Sequence, residues 1–368
     1  MPSPKAPVPA LRPGLDTPAV VVFRERVEAN VTRLQAELDR RGIALRPHAK
    51  THKSVGVARL QLAAGARGLT VGTLGEAEVF AAAGIRDLFV AYPVWAEGPK
   101  AARVRALNDG ADLRIGVDSV EGVDRLAAAV AGSRRPLGVL VELDCGLHRT
   151  GVSSPGAAVG IARAARNAGL AVAGVFTHGG HAYRPGASKA AAADEVAVLE
   201  RAAAALESAG FEIATISAGS TPTMVDAAAG RVNEIRAGTY VYGDRQQWAL
   251  GAMAVEDLAV VVAATVVSVA GDQFVVDAGA KALTKDRPDW LVGFGHLPAY
   301  PEAVIERLND YHGMVSVPSA APRPPLGEVV AIVPNHVCPV IDLVDAVSVV
   351  VPDGSVERWP VDARGRSG

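Results

Sequence analysis

Between residues 44 and 242 short apolar runs alternate with helical stretches, and this alternation limits the fold more than any other feature of the chain. The strand-like runs fall at 44–50, 68–73, 87–93, 112–118, 137–144, 172–178, 213–220 and 235–242. Alanine-rich segments with helical character lie between them, at 53–64, 74–83, 100–108, 120–131, 156–168 and 189–208. The strand runs are continuous in Val, Ile and Leu rather than alternating, as parallel strands covered on both faces are. Eight such units predict a (β/α)8 TIM barrel.

The flanks read differently. Residues 1–18 hold six prolines and predict an irregular arm. A strand is expected at 19–23, then an amphipathic helix over 24–41 that carries Val27, Val31, Leu34 and Leu38 on one face and stops at Gly42. Beyond 242, β-branched runs at 258–269, 273–278, 328–334, 337–343 and 345–351 are separated by Gly, Pro and Asp. The expected organisation is a barrel over 24–245 and a β-rich C-terminal domain over 246–368, completed by the strand at 18–23.

A formal charge of −2 with 21% charged residues of both signs excludes a field for nucleic acid and leaves a small molecule as the expected partner. The longest uncharged apolar run, 258–270, is too short to span a membrane, and the first residues lack the charged-then-apolar pattern of a secretory signal. A cytoplasmic protein is expected. Cys145 and Cys338 are too few for a disulfide framework, so each is a buried apolar residue or a ligand.

Chemistry concentrates at the C-terminal ends of barrel strands. Only seven lysines occur, and two of them stand with two histidines in His48-Ala49-Lys50-Thr51-His52-Lys53, at the end of the first barrel strand. A lysine held out of bulk water beside other cations has a lowered pKa and can attack an aldehyde, which makes Lys50 a Schiff-base candidate. The plain alternative is a basic surface turn. Arg149, His178, Gly219, Ser220, Thr221, Tyr240 and Tyr242 are expected on the same rim. The segment Ser217 to Thr223 reads either as a phosphate seat of backbone N–H groups and hydroxyls at a helix start, or as an ordinary N-cap with proline at the first helical position. Seat and lysine together point to a phosphorylated aldehyde, pyridoxal 5′-phosphate.

The stretches Arg46 to Lys53, Asp144 to Val152, Thr177 to Tyr183, Ser217 to Thr223, Asp277 to Lys281 and Pro334 to Pro339 together resemble the D-threonine aldolase and D-serine dehydratase family. These are fold-type III pyridoxal-phosphate enzymes with an alanine-racemase-like barrel, and the similarity runs in order from about residue 15 to about residue 365. The resemblance implies that Lys50 carries the cofactor and takes the Cα proton, that Arg149 approaches the cofactor's phenolic oxygen, and that Gly219, Ser220, Thr221 and Tyr240 hold its phosphate. His178 and Tyr183 are expected near the ring or the substrate. Asp310-Tyr311-His312-Gly313 resembles a segment near the substrate carboxylate, and reads equally as a polar turn.

The resemblance also implies a divalent metal, zinc or else manganese, on His336 and Cys338. Two residues apart on a strand they would point the same way, and a thiolate with an imidazole suits Zn²⁺ while leaving positions for water or substrate. The plain alternative is a buried cysteine and an incidental histidine. The implied reaction is a lyase reaction on a D-β-hydroxy-α-amino acid. Dehydration of D-serine or D-threonine is expected from the His-x-Cys pair, with D-threonine aldol cleavage as the alternative, and a homodimer is implied. Two other classes fit the sequence less well. A metal-dependent barrel hydrolase would place its histidines two apart after the first strand, whereas His48 and His52 stand four apart, and a non-catalytic cofactor carrier would not need the β-rich domain.

Overall fold

The computed structural model describes residues 9, 11 and 14–368; the remainder of the proline-rich arm lies outside the described residues. The chain divides into two compact units. One holds Thr32–Lys50, Val55–Gly238 and Gly365–Gly368, and the other holds the described residues up to Val31, Thr51–Ser54 and Thr239–Arg364.

Strand β1 (Ala19–Phe23) and helix α1 (Arg24–Arg40) come first. The barrel strands are β2 (Ala44–Leu45), β3 (Leu69–Val71), β4 (Asp87–Pro93), β5 (Asp112–Val117), β6 (Gly138–Leu143), β7 (Ala171–Thr177), β8 (Thr215–Ala218) and β9 (Glu234–Ile235). Between them run α2 (Val55–Ala63), α3 (Leu74–Ala82), α4 (Pro99–Gly110), α5 (Val120–Ala129), α6 (Pro155–Asn167) and α7 (Ser188–Ser208). Side-chain caps start several of these helices, at Thr73, Ser119 and Ser154, each accepting from the backbone N–H three residues on.

Every barrel pairing is parallel, in the order β2-β9-β8-β7-β6-β5-β4-β3. Two backbone bonds close the ring: Arg67 N–H donates to Leu45 O and Thr70 N–H to Pro47 O, both at 2.9 Å. The interior is partly aromatic. Phe89 and Phe176 meet edge-on at 5.0 Å, and Gly116 makes room, since a Cβ there would fall 2.6 Å from the Phe176 ring.

The rest of the interior is charged. Fully buried Arg46 donates to Glu234 at 2.8 Å and to Asp87 at 2.6 Å. The second oxygen of Glu234 accepts from Ser217 at 2.7 Å. Ser217 in turn accepts from Arg236 at 2.8 Å, and Arg236 also donates to the Thr177 carbonyl at 2.5 Å.

Several strand expectations were too long: the run at 44–50 is strand only over Ala44–Leu45. The run at 213–220 is strand only over Thr215–Ala218, and that at 235–242 only over Glu234–Ile235. Pairing continues as single bonds, from Arg236 N–H to Ala218 O and from His48 N–H to Ala237 O. Past Gly238 the chain makes a 3-10 turn over Thr239–Val241. Tyr240 and Tyr242 are therefore not at a strand end; both are buried and belong to the other unit.

That unit is mostly antiparallel. Its elements are α8 (Arg245–Ala249), β10 (Val260–Ala270), β11 (Gln273–Val276), α9 (Ala280–Leu283), β12 (Val304–Leu308), β13 (Gly313–Ser316), β14 (Val329–Ile332), α10 (Val337–Asp342), β15 (Ala346–Val350) and β16 (Val356–Pro360). The sheet runs β12-β13-β11-β10-β1-β15-β16, with β14 also on β10. The all-apolar β1 is central, antiparallel to β10 and parallel to β15. The run at 337–343 is helix, not strand. Its start is capped by the Asp244 carboxylate, which accepts the Val337 N–H at 3.1 Å, and Pro339 falls in the first turn, where its missing N–H costs nothing. No helix among the described residues is long and apolar enough to cross a membrane.

Removing one partner from the buried pair strands a charge. Glu234→Ala should destabilise the protein by about 3–5 kcal/mol in a urea titration, and Glu234→Leu combined with Arg46→Met by clearly less. Equal losses in both variants would show that the pair does not hold the barrel.

Candidate active site

Pro47 has no N–H to give to β3, and past His48 the chain leaves the barrel wall into the 3-10 turn Ala49–Thr51. Lys50 sits in this turn, not on the last position of a strand. Ala49 and Thr51 are buried on either side of it while Lys50 itself is exposed. The chain alone does not take this amine out of water, so the expectation of a lysine held away from solvent is not met by these residues.

Arg149 is set by the loop after β6. The Asp144 carboxylate builds that loop, with one oxygen accepting the N–H groups of Gly146 (2.9 Å) and His148 (3.0 Å) and the other facing His148 Nδ1 at 2.6 Å. Gly146 has φ +129°, which explains the glycine of the Asp-x-Gly-x-x-Arg pattern. Arg149 and His178 line one small cleft with Glu142, Leu143, Asp144, Leu147 and Thr150. Burial, then the charges of Lys50 and Arg149, hold the His178 imidazole well below its ordinary pKa, so this ring is neutral near pH 7. Lys50, Arg149 and His178 are thus neighbours, and the Tyr183 ring lies 6.5 Å from that of His178. Burial pushes the Cys145 thiol up to about 12, in keeping with a packed rather than reactive residue.

The phosphate seat is only partly as expected. The helical stretch after Ser220 is a three-residue 3-10 turn, Thr221–Thr223, closed by a capping box. The Gly219 N–H already donates to Glu195 Oε1 at 3.1 Å and the Ser220 N–H to Thr223 Oγ1 at 2.9 Å. Gly219 contributes its φ of +86° rather than a donor, and a Cβ there would strike Ile235 at 2.9 Å. Ser220 and Thr221 are buried beside it.

Glu195, on α7, was not anticipated. Fully buried, it accepts from Gly179 at 2.9 Å as well as from Gly219, and so joins the turn after His178 to the turn before Ser220. Its position was readable, because Ala191, Ala192, Glu195, Val198, Leu199 and Ala202 form the buried stripe of α7. A carboxylate on such a stripe needs buried donors.

In the other unit His336 is the N-cap of α10 and Cys338 its second residue, so the same-side argument for a strand does not hold. The side chains nevertheless interact: burial alone would lower the His336 pKa, and Cys338 and Asp286 outweigh it and raise it. His336 Nδ1 donates to Asp286 Oδ2 at 2.5 Å, and Asp286 is held below the usual carboxylate range by that bond. This leaves Nε2 as the coordinating nitrogen. Cys338 Sγ lies 3.3 Å from Thr51 Oγ1 and 3.9 Å from Thr239 Oγ1. Burial pushes Asp244, which caps both α8 and α10, up to about 6. Among the described residues no three His, Cys, Asp or Glu gather as a full metal cage. An imidazole and a thiol with an outer carboxylate still fit a zinc ion that keeps open positions. Likewise, Lys50 and Arg149 beside a neutral imidazole fit an anionic aldehyde cofactor.

Asp310 to Gly313 forms the turn from β12 to β13. Lys281 donates to Tyr311 Oη at 3.0 Å and lies over the Tyr311 ring, so this cluster reads as a polar turn.

Because its folded pKa is lowered, His178 contributes stability that is present above the unfolded value of about 6.5 and lost as pH falls below it. His178→Gln should therefore flatten the fall in denaturation midpoint between pH 7 and pH 5. A wild-type His178 resonance that titrates at 6.5 or above by ¹⁵N NMR would contradict this.

The alanine racemase N-terminal domain profile matches residues 22–246, and that of a putative serine dehydratase domain matches 259–350. D-threo-3-hydroxyaspartate dehydratase of Delftia sp. is 38% identical over 94% of this chain and 97% of its own. D-threonine aldolase of Arthrobacter sp. is 35% identical over 98% of this chain and 97% of its own. The solved Delftia dehydratase superposes with a TM-score of 0.86 at 36% identity, covering 94% of this chain and 97% of that one. The D-threonine aldolase of Filomicrobium marinum does so with 0.87 at 32%, covering 95% and 96%. D-threo-3-hydroxyaspartate dehydratase has also been solved as a histidine-to-alanine variant and as a cysteine-to-alanine variant two positions on, the latter metal-free. With both of its domains matched and relatives this similar over nearly its whole length, the chain belongs to the D-threonine aldolase and D-serine dehydratase family of fold-type III pyridoxal-phosphate lyases.

Proposed function

We propose that this lyase acts on D-β-hydroxy-α-amino acids as a metal-dependent dehydratase, converting D-serine, D-threonine or D-threo-3-hydroxyaspartate to a 2-oxo acid and ammonia. The observation that carries the reading is the interacting His336–Cys338 pair with Asp286 on the imidazole. The pair has the two-residue spacing of the histidine and cysteine replaced in the dehydratase variants, the second of which is metal-free.

When bound, pyridoxal phosphate supplies the electron sink for charge at Cα, and the metal ion supplies a Lewis acid for the β-oxygen. Lys50 Nζ holds the cofactor and takes the Cα proton. Arg149 is a fixed cation on the same cleft, and neutral His178 accepts or donates a hydrogen bond without adding charge. Ser220, Thr221 and Tyr240 are assigned to the phosphate, Gly219 shapes that turn, and Tyr183 packs toward His178. Loss of the Cα proton and the β-hydroxyl, as water, leaves an enamino acid. Once free, it takes up water and releases ammonia.

The similarity to the Arthrobacter aldolase keeps one other outcome in view, in which Cα–Cβ cleavage gives glycine and an aldehyde. Purified enzyme given the three substrates, with and without chelator, decides between them. A 2-oxo acid with ammonia, lost on chelation and restored by zinc, is expected. Glycine with acetaldehyde from D-threonine would make the protein an aldolase.

Lys50→Ala should remove the visible cofactor absorption and lower turnover roughly a thousandfold. Cys338→Ala should lower metal content and turnover while the cofactor stays bound, and unchanged metal content would remove Cys338 from the site.

A further inference from the structure

Helix α10, which carries Cys338, is six residues long, too short to hold its own orientation. Three grips fix it. Asp244 takes the Val337 N–H at its start, Thr51 Oγ1 meets Cys338 Sγ at 3.3 Å, and Lys53 Nζ is ion-paired to Asp342 Oδ1 at 2.6 Å at its end. Cys338 and Asp342 are four residues apart, one turn on the same helix face. Thr51 and Lys53 therefore hold one face of α10 at both of its levels. Lys53 is buried, its carbonyl accepts the Ala363 N–H at 2.9 Å, and its φ is +48°, a left-handed conformation that a lysine keeps only when its surroundings impose it.

The same segment begins at the cofactor lysine. Lys50 and Thr51 share a peptide bond and one 3-10 turn, Ala49–Thr51. A shift of α10 that carries Thr51 with it must alter the backbone of Lys50.

We propose that Lys53 is a positioning residue for the metal ligand Cys338, and that the strap of Thr51, His52 and Lys53 couples metal binding on α10 to cofactor binding at Lys50. The proposal rests on the reading that His336 and Cys338 hold the metal. By linkage the coupling is reciprocal: whatever factor the metal adds to cofactor affinity, the cofactor adds to metal affinity.

The test compares wild type with Lys53→Met, which keeps the apolar stem, Asp342→Asn, and Lys53→Arg as the conservative rescue. Zinc affinity is read by competition with a chromogenic chelator. Pyridoxal phosphate affinity is read from its absorption in zinc-loaded and zinc-stripped protein. In wild type, stripping zinc should weaken cofactor binding several-fold. In Lys53→Met and Asp342→Asn, zinc affinity should fall about tenfold to a hundredfold and the zinc dependence of cofactor binding should shrink toward one, while cofactor affinity of the stripped protein stays put. Lys53→Arg should recover most of both.

Wild-type cofactor affinity that ignores zinc would overturn the proposal, as would Lys53→Met with unchanged zinc affinity. If Lys53→Met does not fold, Asp342→Asn carries the same readouts at a partly exposed carboxylate. Cys338→Ala separates the two levels. Zinc bound as in wild type would sink the metal reading itself. Zinc lost there but unaffected in Lys53→Met and Asp342→Asn would leave that reading standing and remove only the strap.

Discussion

Glu234 sits between two buried arginines, and the seam between β2 and β9 depends on it. The strands that meet at this seam, β2 and β9, are two residues long each, so the backbone ladder contributes little there. Side chains do the holding. One Glu234 oxygen takes Arg46, and the other takes the Ser217 hydroxyl that Arg236 also uses. A guanidinium in a barrel interior is tolerable only when its donors are matched, and here Asp87, Glu234, Ser217 and the Thr177 carbonyl match them. The network thus spans β4, β7, β8 and β9 together with the continuation of β2. Four residues beyond Arg46 the chain reaches Lys50. The entry of the chain into the turn that carries Lys50 is consequently fixed by ion pairs as well as by the turn itself.

Above that layer the carboxylates work as builders of turns. Asp144 folds the loop that presents Arg149, Glu195 ties the turns of Gly179 and Gly219 together, and Asp244 caps two helix starts. Each is occupied by backbone N–H groups, and Glu195 and Asp244 are buried deeply enough that desolvation raises their pKa. In the cleft after β6, Arg149 and a neutral His178 stand beside Asp144, whose oxygens are taken up by the loop, and Glu142, which accepts from Thr150. A site for a phosphorylated cofactor and an amino-acid carboxylate gains when its acids are engaged by donors of the protein, because free carboxylates would repel both ligands.

Much of this was legible in the chain. Helical periodicity placed α1 to α7 within a few residues, and continuous apolar runs placed the barrel strands, because both signals are local. The rule that chemistry sits after barrel strands picked out Lys50, Arg149 and His178, which the fold brings near one another. The failures are instructive. The run 337–343 looked like a strand because it is β-branched. Its buried residues Val337, Val340 and Ile341 have helical spacing, and that was the better guide. Strand lengths at β2, β8 and β9 were overdrawn, since the runs continue into turns whose geometry depends on partners elsewhere. The backbone donors of the supposed phosphate seat could not be judged without knowing that Glu195 and Thr223 use two of them. Asp286 was out of reach altogether, fifty residues from the histidine it orients.

The placement of His336 and Cys338 at a helix start rather than along a strand changes what holds them. On a strand, neighbouring ladders would fix both side chains. At the start of a six-residue helix, the geometry of the pair is only as firm as the contacts at either end of that helix, which are Asp244 at one and Lys53 at the other. His336 has its own outer partner in Asp286, so the two side chains are oriented independently. Two side chains steered separately can adjust to an ion that exchanges water for a substrate hydroxyl. A catalytic metal needs that freedom, and a structural one, closed by four protein ligands, is built to prevent it.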